Sequence, residues 1–322
     1  MEGKKKITLS IVTPIYNERG SIEILLREIK HALSGLGFPY EVIIVDDGST
    51  DGSWTVLQDI SRQNEFIRIL RAVRLSRNFG KEAAIAAGLE MACGDAVIVM
   101  DGDLQHPPSL IPDMIGLWQK SEAHVDIVEA VKQERNNESI FHKSGANLFY
   151  GIFSKLSGFP MSNTTDFKLL DRRVINAWLK MPEHNLFFRG MTEWLGFRHV
   201  QIPFLVPERL NGKSKWSFFS LAKMSIKAIS AFSSLPLQLV TIFGFVFLLF
   251  AGVLGVQAFW MKFTGRALEG FTTVNLLLLI IGSLLMISLG IIGIYIGRIY
   301  EEIKQRPRYI KYETIDQAAE ER

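Results

Sequence analysis

Apolar residues recur along the first hundred positions in alternating blocks, each with its own period. Residues 6–13 form a mostly β-branched and apolar run, which predicts a strand. Pro14 to Glu18 then read as a loop. Ile22, Leu25, Leu26 and Ile29 follow at helical spacing behind Ser21, a plausible N-cap. Gly35 and Gly37 close that helix. Tyr40 to Val45 predicts a second strand, with a helix from about Trp54. Ile67 to Arg74 predicts a third, followed by an Ala-rich helix that ends near Gly94. Val97 to Met100 is a short apolar run that reads as a buried strand of a parallel sheet. Strand and helix alternate in units of about thirty residues, the signature of a doubly wound α/β domain.

The far end of the chain reads differently. Leu235 to Met261 contains no charged residue, and neither does Phe271 to Gly297. Each exceeds the ~20 apolar residues that span a bilayer. Between Trp216 and Ser233 the pattern is amphipathic, with Lys223 and Lys227 sharing one helix face, which predicts an interfacial helix. Four regions follow: residues 1–215 as a catalytic domain, 216–234 as the interfacial region, 235–297 as a two-helix membrane domain, and 298–322 as a basic tail. The loop from Lys262 to Glu269 is short, with Lys262 and Arg266 basic. Arg298, Lys304, Arg306, Arg308 and Lys311 follow the second span. The positive-inside rule therefore puts both termini in the cytoplasm.

Composition adds exclusions. The formal net charge is +3, a balance that argues neither for nor against nucleic acid. The single cysteine, Cys93, excludes an intramolecular disulfide and Cys-rich zinc sites, and reads as a small core residue. The residues after Met1–Lys6 are too soon interrupted by Pro14 and Asn17 for a signal peptide. No G-x-G-x-x-G follows the first strand and no G-x-x-x-x-G-K-[ST] occurs, which disfavours dinucleotide and P-loop sites.

The candidate chemistry lies where strands should end. Asp101-Gly102-Asp103 follows the fourth strand, and ligands of open α/β sheets gather at strand carboxyl ends. A lone D-x-D is more often a solvated turn. Two carboxylates so spaced can also share one divalent cation that bridges phosphates. Tyr16-Asn17-Glu18 and Asp46-Asp47 occupy the corresponding loops after the first and second strands, so three loops can converge on one crevice.

Four pieces together carry a resemblance: residues 12–18 (VTPIYNE), 45–51 (VDDGSTD), 77–81 (RNFGK) and 100–108 (MDGDLQHPP). The chain resembles the GT-A, family 2 nucleotide-sugar glycosyltransferases. It is most similar to the branch that glycosylates polyprenyl phosphates: GtrB-type glucosyltransferases, dolichyl-phosphate mannose synthase and ArnC-type transferases. Residues 166–173 (DFKLLDRR), 208–216 (ERLNGKSKW), both apolar segments, residues 295–300 and residues 306–309 continue the likeness.

The resemblance implies a GT-A mostly parallel sheet with helices on both faces, followed by an interfacial region and two membrane helices. It implies that Pro14, Tyr16, Glu18 and Asp46 hold the nucleotide base and ribose. Lys81 would meet the donor phosphates or ribose, and Asp101, Gln105, Arg209 and Lys215 the donor phosphates. Asp101 and Asp103 would ligate Mg²⁺ or Mn²⁺, and Asp166 would be a base or an orienter on the acceptor side of the sugar. Asp171 reads as structural and His106 as a hydrogen-bonded surface histidine. Arg135, His142 and Lys143 would bind the acceptor phosphate, although Ala146 stands where relatives carry a serine. The expected reaction moves one sugar, glucose from UDP-glucose by preference, to undecaprenyl or another polyprenyl phosphate with inversion. The expected setting is a bacterial inner membrane, with no nucleic-acid partner. The expected assembly is a homo-oligomer, a tetramer if the GtrB likeness holds. An amino-sugar transferase, a processive polysaccharide synthase and an inactive scaffold are the alternatives. Arg189 and Trp194 occur, but no Q-x-x-R-W motif of processive synthases does.

Overall fold

The computed structural model describes residues 8–63, 69–120, 125–133, 164–184, 186–205, 235–265 and 270–316. Two compact units emerge. The first holds the described residues up to 205 and those from Arg306 onward; the second holds two long helices.

The first unit is built on an eight-stranded mixed sheet. Its strands are β1 (Leu9–Ile15), β2 (Tyr40–Asp46), β3 (Leu70–Leu75), β4 (Ala96–Val99), β5 (Ile127–Lys132), β6 (Thr164–Asp171), β7 (His199–Phe204) and β8 (Lys311–Asp316). They run in the order β7-β5-β6-β4-β1-β2-β3-β8. β1 pairs in parallel with β2 and β4, β2 with β3, and β5 with β7; β6 and β8 are antiparallel to their neighbours. The helices are α1 (Ile22–Leu33), α2 (Ser53–Gln63), α3 (Lys81–Met91), α4 (Ile111–Lys120), α5 (Arg172–Leu179) and α6 (Phe188–Trp194).

Strand alternation divides the core between two faces. Leu9, Ile11, Ile15, Val42, Ile44 and Ile98 pack with Ile22, Leu25, Leu26 and Ile29 of α1, Trp54 and Leu57 of α2, and Ile111 and Met114 of α4. Val12 and Val45 point the other way, onto α3 at Gly88, where a Cβ would lie 2.3 Å from Val12 Cγ1. α3 is therefore buried nearly all round, from Ala83 to Leu89, which explains its alanine content.

Three local expectations change. Pro14 lies inside β1, paired with Val45, rather than in the following loop. Cys93 is exposed, because α3 stops at Met91 and the chain turns before Gly94. The segment beyond the second long helix is not merely a tail: Lys311–Asp316 forms β8 on the outer edge of β3. It is fastened there by Arg71–Asp316 at 3.2 Å and by Trp54 Nε1 donating to Glu313 Oε2 at 2.5 Å. Arg308 donates to the Met181 carbonyl, and Tyr309 to the Glu90 carboxylate.

In the second unit, α7 (Leu235–Phe263) and α8 (Phe271–Ile303) are long and apolar enough to cross a membrane, and their most apolar windows are not buried by protein. Phe245, Leu249, Val253, Leu285 and Met286 are all exposed. A Cβ added at Gly255, Gly293 or Gly297 would meet nothing within 4 Å.

Gly94 shows where the sheet tolerates no side chain. Its Cβ would lie 2.6 Å from Ser10 N, 2.7 Å from Leu9 C and 2.8 Å from Ala96 O, all backbone atoms. Gly94→Ala should cost ~1–3 kcal/mol and lower the unfolding temperature. Gly116→Ala, with open space around it inside α4, should raise stability by about 0.5–1 kcal/mol. Thermal unfolding of both variants checks this; equal transitions would show that the turn into β4 moves freely.

Candidate active site

Parallel pairing aligns the carboxyl ends of β1, β2 and β4, and the loops beyond them form one cavity of about 380 Å³. Its walls are Pro14, Ile15, Tyr16, Glu18, Asp47, Asn78, Gly80, Lys81, Asp101, Gly102 and Asp103. The convergence expected of the three loops is thus present. Tyr16 is about half exposed, its ring free to stack on a flat ligand.

The loop after β2 is tied down by its own side chains. Asp47 accepts from the Phe79 and Gly80 N–H groups at 2.7 and 2.9 Å, locking the start of α3 to the cavity. Burial raises the Asp47 carboxyl, and these N–H groups oppose the rise. Gly48, at φ +70°, sits so close to Arg77 that a Cβ would meet its carbonyl carbon at 2.6 Å. Asp46 is placed differently from Asp47. It is fully buried, accepts from Ser49 N–H at 2.9 Å, and has Arg74 Nε 3.6 Å from Oδ2. Asp47, not Asp46, lines the cavity.

The D-x-D loop has two irregularities. Leu104 adopts φ +63°, an outlier for a bulky residue. It lets Gln105 N–H turn back to Asp103 Oδ1 at 3.1 Å. Gly102 leaves no room for a side chain, since a Cβ would lie 2.7 Å from Ile15 Cγ2. His106 is buried, not at the surface: it stacks on Phe167 with ring centroids 5.1 Å apart, and its Nδ1 accepts from Asp101 N–H at 2.9 Å. Burial lowers its pKa, which suits this acceptor role.

The antiparallel β4–β6 ladder pairs Val99 with Lys168. Continued by two residues, that register sets Asp101 opposite Asp166. Lys81 Nζ lies 2.5 Å from each, joining Asp101 Oδ1 to Asp166 Oδ2. Arg189 grips the other side of Asp166, with Nε 2.6 Å from Oδ1 and Nη2 3.1 Å from Oδ2. Burial alone would raise the Asp166 carboxyl, but Lys81 and Arg189 override it and hold it far below the usual carboxylate range. Lys81 is raised by its two carboxylates despite its own burial. Glu82, on the same turn as Lys81, accepts from Phe188 N–H at 2.8 Å. Burial, with Asp166 nearby, pushes its carboxyl up to about 7.

Asp101 and Asp103 offer oxygen donors on one loop at the cavity wall, a set that fits Mg²⁺ or Mn²⁺. A second group of potential ligands, Glu129, Glu193 and His199, has its donor atoms within 4.8 Å of one another. There Lys168 Nζ is already the cation, 2.7 Å from Glu129 Oε1 and 3.7 Å from Glu193 Oε1. Asp171 is structural as expected: its carboxylate caps α5 at Arg173 N–H and accepts from Trp118 Nε1.

Pro14, Tyr16, Glu18, Lys81, Asp101 and Asp103 therefore meet at one cavity, with Asp166 joined to them through Lys81. Gln105 contributes its backbone to the loop. Arg135, His142, Lys143, Arg209 and Lys215, with the interfacial region 216–234, lie outside the described residues. Sequence reasoning missed Arg189, Glu82 and Asn78. Asn78 stands within the RNFGK piece. Arg189 and Glu82 carry no local signal, because only the fold brings α6 to Asp166.

The Glu82 carboxyl titrates at about 7 in the folded chain, above the ~4.3 of an unfolded glutamate. Its stabilising contribution is complete below about pH 4 and is lost as pH rises through about 7. Glu82→Gln keeps an oxygen for Phe188 N–H. Its unfolding temperature should fall less between pH 5 and pH 8 than that of the parent. Identical slopes in thermal scans would show that the carboxylate is already charged at pH 5.

The family model for glycosyl transferase family 2 matches residues 10–184. An uncharacterized glycosyltransferase of Synechocystis sp. is 38% identical, covering 94% of both chains. The Escherichia coli K12 prophage bactoprenol glucosyl transferase homolog is 33% identical over 94% of this chain and 97% of its own. The bactoprenol glucosyl transferase of Shigella phage SfII is 32% identical, over 94% and 96%. Among solved structures, a glucosyl-3-phosphoglycerate synthase of Mycobacterium tuberculosis aligns with a TM-score of 0.48 and 19% identity, over 70% of this chain and 76% of that one. With a family 2 match over more than half its length, and relatives aligned nearly end to end, the chain belongs to glycosyl transferase family 2 and is a transferase.

Proposed function

We propose that the protein transfers a single glucosyl group from UDP-glucose to a polyprenyl phosphate at the cytoplasmic face of a bacterial inner membrane, with inversion. The observation that carries this reading is the joining of Asp101 to Asp166 by Lys81 beside the Tyr16–Asp47 cavity, in a chain that also holds two membrane-length helices. The relatives named as bactoprenol glucosyl transferases support the sugar and the lipid. An amino-sugar donor is the second reading of the same site.

The cavity would take the nucleotide, with Tyr16 stacking on the base and Glu18 near the ribose. Asp101 and Asp103 would hold a divalent ion, which when bound supplies Lewis-acid neutralisation of the departing diphosphate. Lys81 stands where its ammonium can reach the same phosphates. The acceptor phosphate oxygen forms a bond to the anomeric carbon as the bond to the diphosphate oxygen breaks, and the nucleoside diphosphate leaves with the electron pair. A phosphate monoester with a second pKa of ~6 is already largely ionised at neutral pH. Asp166, doubly ion-paired, is a poor base, so orienting the sugar hydroxyls is the part its chemistry suits. Arg135, His142 and Lys143 remain the proposed acceptor-phosphate residues, and Arg209 and Lys215 the proposed cover over the donor.

β8 follows α8 in the chain yet hydrogen-bonds to β3, which precedes α7. Strands of one sheet lie on one side of a membrane, so the chain between them crosses an even number of times. Two crossings, with both ends cytoplasmic, satisfy this and the positive-inside rule. For assembly, Gly293 and Gly297 have open space around them, and small residues at helix faces allow close approach of a second helix. A homo-oligomer with these faces together, a tetramer by the GtrB likeness, is our reading.

Two tests follow. Radiolabelled UDP-glucose and undecaprenyl phosphate should give a chloroform-soluble product carrying one sugar; polymer, or no product, would refute the reading. EDTA should abolish that activity and Asp103→Asn should remove ~10²-fold or more of turnover with the fold intact, a loss on the scale of a missing charge stabiliser. Separately, Gly293→Leu with Gly297→Leu should shift the detergent-solubilised protein to smaller species in light scattering. A monomeric wild type would rule that assembly out.

A further inference from the structure

Arg189, Glu82, Lys168 and Glu193 have no part in the chemistry above, yet they form one construction around Asp166. On β6, Asp166 and Lys168 are two residues apart and share a face. On α6, Arg189 and Glu193 are four apart and share a face. The helix lies across the strand with charges matched in order. Arg189 meets Asp166 through two hydrogen bonds, at 2.6 and 3.1 Å, and Glu193 lies 3.7 Å from Lys168. Lys168 is fully buried and also 2.7 Å from Glu129 on β5, so this second rung is anchored in the sheet. The amino end of α6 has no cap of its own; Glu82 of α3 supplies one by accepting from Phe188 N–H, one residue before Arg189. A slip of α6 along β6 by one rung would bring like charges together, Arg189 onto Lys168 or Glu193 onto Asp166, and leave the other rung unpaired.

We infer that Arg189 is a positioning residue for sugar transfer: α6, fixed by Glu82 and by the Lys168–Glu193 rung, holds a guanidinium fork on both oxygens of Asp166 and sets the plane of that carboxylate. The inference rests on the proposed function, in which Asp166 faces the donor sugar. A guanidinium defines a carboxylate's plane because its donors are rigidly spaced, whereas an ammonium such as Lys81 is a point charge that cannot. Each Asp166 oxygen has two lone pairs, and the fork together with Lys81 leaves acceptor capacity for a sugar hydroxyl. Arg189 thus acts on the sugar through Asp166.

The test uses the full-length protein and the variants Asp166→Asn, Arg189→Gln, Arg189→Lys and the Asp166→Asn/Arg189→Gln pair. Misplacing a positioning group can cost ~10²-fold in rate. Arg189→Gln should lose turnover on that scale, while affinity for UDP changes less than about threefold, since nothing that binds the diphosphate is removed. The pair should be no slower than Asp166→Asn alone, because residues acting through one another are non-additive. Arg189→Lys, which keeps the charge but not the fork, should remain well below wild type; it carries the comparison if Arg189→Gln does not fold. Losses that multiply in the pair, a loss confined to UDP affinity, or full activity in Arg189→Lys would each overturn the inference. If the wild type binds UDP-glucose but glucosylates no lipid, the proposed function falls instead. The same variants are then compared by UDP-glucose affinity relative to UDP: non-additive losses sustain the positioning role and additive ones end it.

Discussion

The structure of the site depends on the pairing of one buried carboxylate, Asp166, with two cations from different elements. Lys81 comes from the first turn of α3 and Arg189 from α6. A lone carboxylate at that depth would be strongly destabilised and would take up a proton. Asp166 can remain ionised because both cations reach it. Breaking such a pair by removing one partner typically costs 3–5 kcal/mol, as the charge left behind is neither solvated nor paired. The same cost holds α3, β6 and α6 in one arrangement. Lys81 extends the constraint to Asp101 at 2.5 Å, and so to the loop that carries Asp103.

The sheet order gives this pairing its geometry. Parallel β1, β2 and β4 bring three loops to one edge, as their carboxyl ends must coincide. Antiparallel β6 beside β4 enters from that edge, so a residue near its start stands opposite a residue just past the end of β4. A purely parallel sheet would deliver a strand end there, followed by another loop. The reversed strand instead delivers a rigid, buried segment with Asp166 and Lys168 on one face. At the opposite margin, β8 covers the edge of β3 and brings Glu313 to within 3.8 Å of Arg74, which also lies against Asp46 and donates to the Ser49 carbonyl. β8 thus buttresses the loop behind the cavity.

How much of this was legible in the sequence follows from the range of each interaction. The first four strands and three helices are local patterns, and they appear close to their expected places. The strand-end carboxylates were readable because a D-x-D after an apolar run needs no distant partner to be recognised. His106 was misplaced because its environment, the Phe167 ring, is 61 positions away and becomes its neighbour only in the folded sheet. Cys93 looked like core because its flanking residues are core, and one turn of chain carries it out. β8 was hidden by its charges, Lys311, Glu313 and Asp316, which suit an edge strand that pairs on one side and faces water on the other. Arg189 lay in a segment read only for a motif it does not complete.

The clamp on Asp166 also bears on how transfer proceeds. A carboxylate held far below its ordinary range has little tendency to accept a proton, so a mechanism that needs a base gains little from it. Under the proposed function the acceptor is already a phosphate anion and needs none. What that proposal leaves for the site is to align the anomeric carbon between two phosphate oxygens and to tolerate the charge that moves to the departing one. Alignment favours groups that cannot rotate, and an Asp fixed by a fork and an ammonium is such a group. A histidine or an unpaired aspartate at this position would bring basicity without rigidity. The chain instead places His106 behind the loop, accepting from the Asp101 backbone, where it braces the carboxylates without taking a place beside Asp166.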